Sequence, residues 1–212
     1  MNKMRIFDDI NVNLKSSISY GAILTLRSGL LPTSSWLTAE EWQWLSHAVP
    51  KRQQTFAWGR AALRWLCSQL AGVDGSAVSI SLPSDKEPEI WVNHQQWHCS
   101  VSHSHSQLVV IVNQTKRVAV DLEYYRTDRL VTKYQDVFPL LQPYCTSTTI
   151  FYRRWTLLEA MAKYYSIPLL DLLIGVVELP TAEVRYVNVG DYLICVAPAD
   201  IPICWYQLSL SE

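Results

Sequence analysis

The chain has 212 residues and a mass of 24.3 kDa, with 49% hydrophobic and 17% charged residues. This length builds one large domain or two small lobes, and the balance excludes a disordered chain, a collagen-like repeat and a coiled coil. Eighteen Lys plus Arg against 19 Asp plus Glu leave a net charge of −1, which argues against holding nucleic acid by bulk positive charge.

In chain order, ISYGAILTL at 18–26 predicts a strand, and the Ser-, Gly- and Pro-rich residues 27–35 a loop. Thr38, with Glu41 three residues on, has the form of a capping box and predicts a helix over TAEEWQWLSHA. After Pro50, the residues Phe56, Leu63, Leu66, Cys67 and Leu70 recur at helical spacing, with Gly72 as the stop. Short β-rich runs follow at 77–82, 89–92, 98–102, 107–112 and 117–123. Residues 127–142 read as partly helical, and FYRRWTLLEAMAKYY, within 146–167, as a second long helix. Strands are expected again at 174–179, 183–188, 191–197 and 203–209. The order strand, helix, β-rich segment occurs twice, which predicts an α+β chain of two similar α/β lobes, 1–114 and 115–212.

No apolar run approaches the ~20 residues that span a bilayer. MNKMRIFDDI lacks the hydrophobic core of a signal peptide, so a soluble, cytoplasmic protein with no membrane partner is expected. Cys67, Cys99, Cys145, Cys195 and Cys204 are odd in number and widely spaced, which predicts reduced core thiols rather than a disulfide framework. Nine Trp and 11 Tyr predict bulky packing and an aromatic partner surface.

Four groups of residues can carry chemistry. In VAVDLEYY, Asp121 and Glu123 are two apart on a strand and share a face. Adjacent carboxylates repel unless a proton or a cation relieves them, and a hard ion such as Mg²⁺ suits oxygen donors. A solvated strand end with Arg126 or Arg129 as partner is the plainer alternative. Glu159 and Lys163 are four apart on the second helix, with Thr156 in the same sector, and read equally as a surface ion pair. Ser102, His103 and Ser104 follow a strand and can bind a phosphate, or form a polar turn. A zinc site is a rival there, because His94, His98, Cys99, His103 and His105 lie close in sequence. Lys51, Arg52, Arg60 and Arg64 surround the first helix. Arg60 and Arg64 can reach one anion together, or lie on a solvated face.

Taken in order, WGRAALRWL at 58–66, DKEP at 85–88, SVSHSH at 100–105, AVDLE at 119–123 and WTLLEAMAK at 155–163 resemble the Sfp-type 4′-phosphopantetheinyl transferase family over about residues 50–168. The resemblance implies the family's fold, two lobes in pseudo-twofold arrangement, and a monomer. It implies a transferase of the holo-acyl-carrier-protein synthase kind. Such an enzyme moves the 4′-phosphopantetheine arm of coenzyme A to a serine of an acyl, peptidyl or polyketide carrier protein, releasing adenosine 3′,5′-bisphosphate. By the same resemblance Asp121, Glu123 and Glu159 hold Mg²⁺ on the pyrophosphate, and Lys163 contacts the phosphates, in a cleft between the lobes. Ser102 and His103 meet the adenine-ribose end, while Arg60, Lys51, Arg52 and Lys86 take the remaining nucleotide charge. Tyr134, Phe138 and Tyr144 are expected to receive the carrier.

The chain departs from the family pattern at Ala119 for a glycine, at Leu158 for a lysine, and at Gln142 for a glutamate proposed as base. A Gln amide cannot take up a proton at neutral pH. These departures raise an alternative, a family member that binds coenzyme A or carrier protein without turnover.

Overall fold

The computed structural model describes residues 4–6, 17–82, 88–126, 131–134, 136–181 and 183–210. The fold is mixed α+β. The chain divides into two compact units, one of residues 1–118 and 201–212, the other of residues 119–200.

The first unit is built on a seven-stranded sheet. Its strands are β1 (Met4–Ile6), β2 (Ser19–Thr25), β3 (Val78–Ile80), β4 (Ile90–Val92), β5 (Gln95–Ser104), β6 (Gln107–Asn113) and β10 (Ile203–Leu210). The spatial order is β1-β10-β2-β6-β5-β4-β3, antiparallel throughout except that β10 runs parallel to β2. Helix α1 (Ala39–Ser46) starts as its sequence dictates. Glu41 N donates to Thr38 Oγ1 at 3.2 Å, and Thr38 N donates back to Glu41 Oε2 at 2.8 Å. Helix α2 (Pro50–Ala71) opens with Pro50 in its first turn and closes on Gly72 in the left-handed conformation at φ 64°. Small residues let α2 lie close on the sheet. Ala57, Ala61 and Ala62 are wholly buried, and a Cβ on Gly59 would just touch Val101 Cγ1 at 3.5 Å. Trp65, Leu63, Leu66 and Leu70 of α2 then pack with Leu24, Trp97, Leu108, Val110 and Val112.

The placement of β10 corrects the expected boundary at 115–212. Residues 203–210 return to the first unit, where Leu208 joins its core. Gly21 explains the fit: a Cβ there would lie 2.3 Å from Trp205 Cζ3, so the indole takes the space that a side chain would fill.

The second unit has a three-stranded antiparallel sheet of β7 (Ala119–Tyr124), β9 (Tyr192–Ala197) and β8 (Arg185–Val189), in the order β7-β9-β8. Gly190 at φ 56° turns the β8–β9 hairpin. Helix α3 (Thr148–Tyr165) is capped by Ser147, whose Oγ accepts from Ile150 N at 3.2 Å, and ends at Ser166 in the left-handed conformation. Its Phe151, Tyr152 and Leu158 pack with Leu141, Leu172, Leu173 and Leu193.

The helical turns expected within 127–142 are 3₁₀ helices at 131–134 and 139–144. One expected element differs. The strand expected at 174–179 is absent, and a short helix α4 (Leu169–Leu173) precedes it instead. Asp171 O accepts from both Val176 N and Val177 N, and Gly175 takes φ 77°, so the valines close a helix end despite their β propensity. Four cysteines are buried and free as expected, but Cys204 is exposed on β10. Among the described residues no helix is long and apolar enough to cross a membrane.

Candidate functional site: an acidic centre in the second unit and a buried basic pair in the first

Asp121 and Glu123 project from the same face of β7, the face on which α3 lies. Asp121 is 1% exposed, an unusual position for a carboxylate. Lys163, reaching from the last turns of α3, places Nζ 2.8 Å from Asp121 Oδ1 and donates a second bond to Val120 O at 3.1 Å. Glu159 lies one turn earlier on α3 and enters the same field. Its carboxyl is pushed up to about 8, first by burial, then by the charge of Asp121, with a hydrogen bond to Asp121 and the charge of Glu123 adding to the shift and Lys163 opposing it. The strand pair and the helical pair read separately in the sequence therefore converge on one centre. It lies wholly within the second unit.

Burial first, and the charges of Asp121 and Glu123 after it, hold the Glu159 carboxyl above the ordinary carboxylate range. Excess carboxylate oxygen in a partly buried setting is the donor chemistry of a hard divalent cation. In donor type, though not in an assembled cage, Asp121, Glu123 and Glu159 suit Mg²⁺. Among the described residues no three His, Cys, Asp or Glu side chains already form a cage. At Asp121 a lysine ammonium occupies one oxygen instead.

Two neighbours escape sequence reasoning. Cys195 stands opposite Asp121 on β9, and Tyr186 opposite Cys195 on β8, so a polar row crosses the sheet from the acid. Burial pushes the Cys195 thiol far up, with the charge of Asp121 adding to it. Tyr186 is pushed up to about 12, mainly by burial, and its hydroxyl donates to Arg153 O at 2.8 Å. No local motif marks these two; only the strand register brings them beside the acid.

In the first unit, Arg60 and Arg64 do share one anion, but it is internal. Arg64 Nη1 and Nη2 donate to Glu41 Oε2 and Oε1 at 3.0 and 3.1 Å, while Arg60 Nη1 lies 3.7 Å from Glu41 Oε1. Arg64 also donates to Trp36 O at 2.6 Å and Val78 O at 3.2 Å. All three charged side chains are nearly buried, at 6%, 3% and 1% exposure for Arg60, Arg64 and Glu41. The solvated helix face is thus excluded. Two guanidiniums against one carboxylate leave an excess positive charge, and burial lowers Arg60 below the ordinary arginine range. Arg60 Nη1 makes no hydrogen bond among the described residues. A stack orients this side chain: Arg60 lies over Phe56 (4.9 Å), Phe56 on Trp44 (4.2 Å), and Arg52 over Trp44 (5.3 Å). Lys51 and Arg52 are exposed at the start of α2.

Ser102 and His103 are consecutive in the β5–β6 ladder, opposite Val109 and Leu108, so their side chains leave opposite faces of the sheet. Ser102 is buried and His103 exposed. One ligand atom can meet the side chain of only one of them. Lys86 lies outside the described residues. Leu158 is fully buried in the second core, so this position supports packing rather than the charged face of α3. Tyr134 and Phe138 pack against that core, with Tyr134 on Phe151 at 5.0 Å. Tyr144 instead lies under Arg154 at 4.6 Å.

No curated protein matches the chain. Residues 40–113 match the family model of the 4′-phosphopantetheinyl transferase N-terminal domain, a stretch that includes Glu41, the Arg60–Arg64 pair and the Ser102–His103 strand. The match spans about a third of the chain and supports a likeness to the 4′-phosphopantetheinyl transferase superfamily.

Proposed function

We propose that the chain transfers the 4′-phosphopantetheine arm of coenzyme A to a serine hydroxyl of a carrier protein, in a reaction that depends on Mg²⁺. The convergence of Glu159 with Asp121 and Glu123 carries this reading. These three carboxylates would hold the ion. When bound, it neutralises charge on the pyrophosphate and on the departing bisphosphate.

The chain's own residues supply the rest by position and charge. Lys163 brings an ammonium to the same centre and would bind a phosphate oxygen. Glu159 must release its proton for its oxygens to become donors, and a divalent charge provides that driving force. In the first unit the surplus charge of Arg60 and the exposed Lys51, Arg52 and His103 would take the nucleotide's phosphates, while Ser102, on the opposite face, is assigned to the adenine-ribose end by resemblance alone. Lys86 is assigned to the same nucleotide charge by resemblance. Gln142 has no basic atom, so the proton of the serine must leave to another acceptor.

The test is incubation with coenzyme A, Mg²⁺ and a panel of apo carrier proteins, read by mass spectrometry. One carrier is expected to gain one phosphopantetheine arm. Asp121→Asn should abolish the gain. An undiminished rate in that variant would refute the metal assignment, and binding of coenzyme A with no product on any carrier would favour the non-catalytic reading.

A further inference from the structure

By resemblance Lys163 contacts the phosphates, yet its geometry here gives it a prior task. Asp121 is 1% exposed on the α3-facing side of β7, where an isolated carboxylate would be costly. Lys163 meets that cost. Its Nζ lies 2.8 Å from Asp121 Oδ1, and the bond to Val120 O at 3.1 Å fixes it against the same strand. The ammonium therefore stands where a cation bound to Oδ1 would stand.

We propose that Lys163 is a built-in counter-ion for Asp121 which a divalent cation must displace, so that this lysine opposes metal binding rather than supporting it. The inference rests on the assignment of Asp121, Glu123 and Glu159 as ion donors. Four features of the side chain suit the role. Nζ carries one charge against the two of the ion, so the ion wins once its other oxygen donors join. Lys163 is 28% exposed, so its long stem can swing the ammonium toward solvent or a phosphate without repacking the core. Its second bond goes to a backbone carbonyl, which remains in place as a resting partner. Its place on the last turns of α3 leaves the buried side chains of that helix undisturbed. Metal entry and delivery of the ammonium to an incoming anion thus become one movement.

The experiment is calorimetric titration of the whole chain with MgCl₂ alone, without coenzyme A, for the wild type and for Lys163→Met, Lys163→Arg and Lys133→Met. Removing this charge-assisted hydrogen bond should tighten Mg²⁺ binding by about tenfold in Lys163→Met. Lys163→Arg, whose guanidinium can grip a carboxylate with two bonds, should bind more weakly than wild type. Lys133 is an exposed lysine of the same unit, and Lys133→Met should leave the affinity nearly unchanged, which separates displacement from a general field effect. Thermal melts give a second reading. Lys163→Met should be less stable than wild type in chelator and gain more from added Mg²⁺. If wild type binds the ion and Lys163→Met binds it equally or more weakly, the displacement idea is wrong and the donor assignment stands. If Lys163→Met does not fold, equal or tighter binding by Lys163→Arg overturns the idea in its place. If wild type binds no Mg²⁺, both the inference and the donor assignment fail.

Discussion

Glu41→Gln removes one negative charge from the first unit and little else. Gln is isosteric with Glu and is accepted at the third position of a capping box, so the start of α1 at Thr38 survives. What is lost is the counter-ion of two buried guanidiniums, paired at 3.0 and 3.1 Å by Arg64 and approached to 3.7 Å by Arg60. Breaking a buried ion pair by removing one partner costs about 3–5 kcal/mol, because the other charge stays buried and uncompensated. Two such charges remain here, but the amide oxygen still accepts one bond from Arg64, so about 3 kcal/mol is expected. Thr38→Ala, which breaks the cap and keeps the charge, should cost only about 1 kcal/mol. Urea denaturation followed by tryptophan fluorescence measures both, with stability read from the midpoint at constant slope. A Glu41→Gln midpoint no lower than that of Thr38→Ala would refute the argument that this carboxylate neutralises a buried basic pair.

Three further outcomes follow from other parts of the molecule. In chelator, Glu159 is pushed up to about 8 in the folded chain but titrates near the ordinary carboxylate value, about 4.3, when unfolded. The folded state then binds the proton more tightly. This stabilising contribution is complete below about pH 4.3 and is lost as pH rises through 8, by ~1.4 kcal/mol per unit of displacement before solvent screening reduces it. Urea midpoints across that range should fall in wild type and flatten in Glu159→Gln; equal slopes would remove the basis for the raised carboxyl. Gly21→Ala should cost about 1–3 kcal/mol by overpacking, since its Cβ would meet Trp205 at 2.3 Å, and an unchanged melt would contradict the parallel β2–β10 pairing. Leu158→Lys, which restores the family's residue, should destabilise by about 3 kcal/mol or more, because position 158 is fully buried in the second core. A melt unaffected by that lysine would show that the position faces solvent.

What the sequence discloses and what it conceals divide along the range of the interaction. The capping box at Thr38 and Glu41, the stop at Gly72, the shared face of Asp121 and Glu123 and the shared turn of Glu159 and Lys163 are set by residues within four positions of each other, and all appear where expected. The failures involve partners far apart in the chain. Residues 203–209 have the alternation of a strand wherever they pair, and only the space left at Gly21 for Trp205 decides that they pair with β2. The valines at 176 and 177 favour a strand locally, but two bonds to Asp171 O close a helix end first. Arg60 and Arg64 announce a common anion by their spacing, yet the carboxylate that meets Arg64 is 23 residues upstream.

The acidic centre shows the same rule from the other side. Asp121 and Lys163 are 42 residues apart, and either local pair alone reads as an ordinary surface feature. Local spacing fixes which side chains leave each element together, while the packing of α3 on β7 sets the two pairs against each other. The joint result is a buried, mutually interacting acid and base group that neither segment has by itself. A lysine answering a buried aspartate, with a glutamate of raised affinity for its proton beside it, is the resting arrangement that the proposed Mg²⁺ site requires. The chemistry of this unit thus depends on one helix–strand contact, and a substitution that shifts α3 along β7 would disable the centre without touching any of its charged residues.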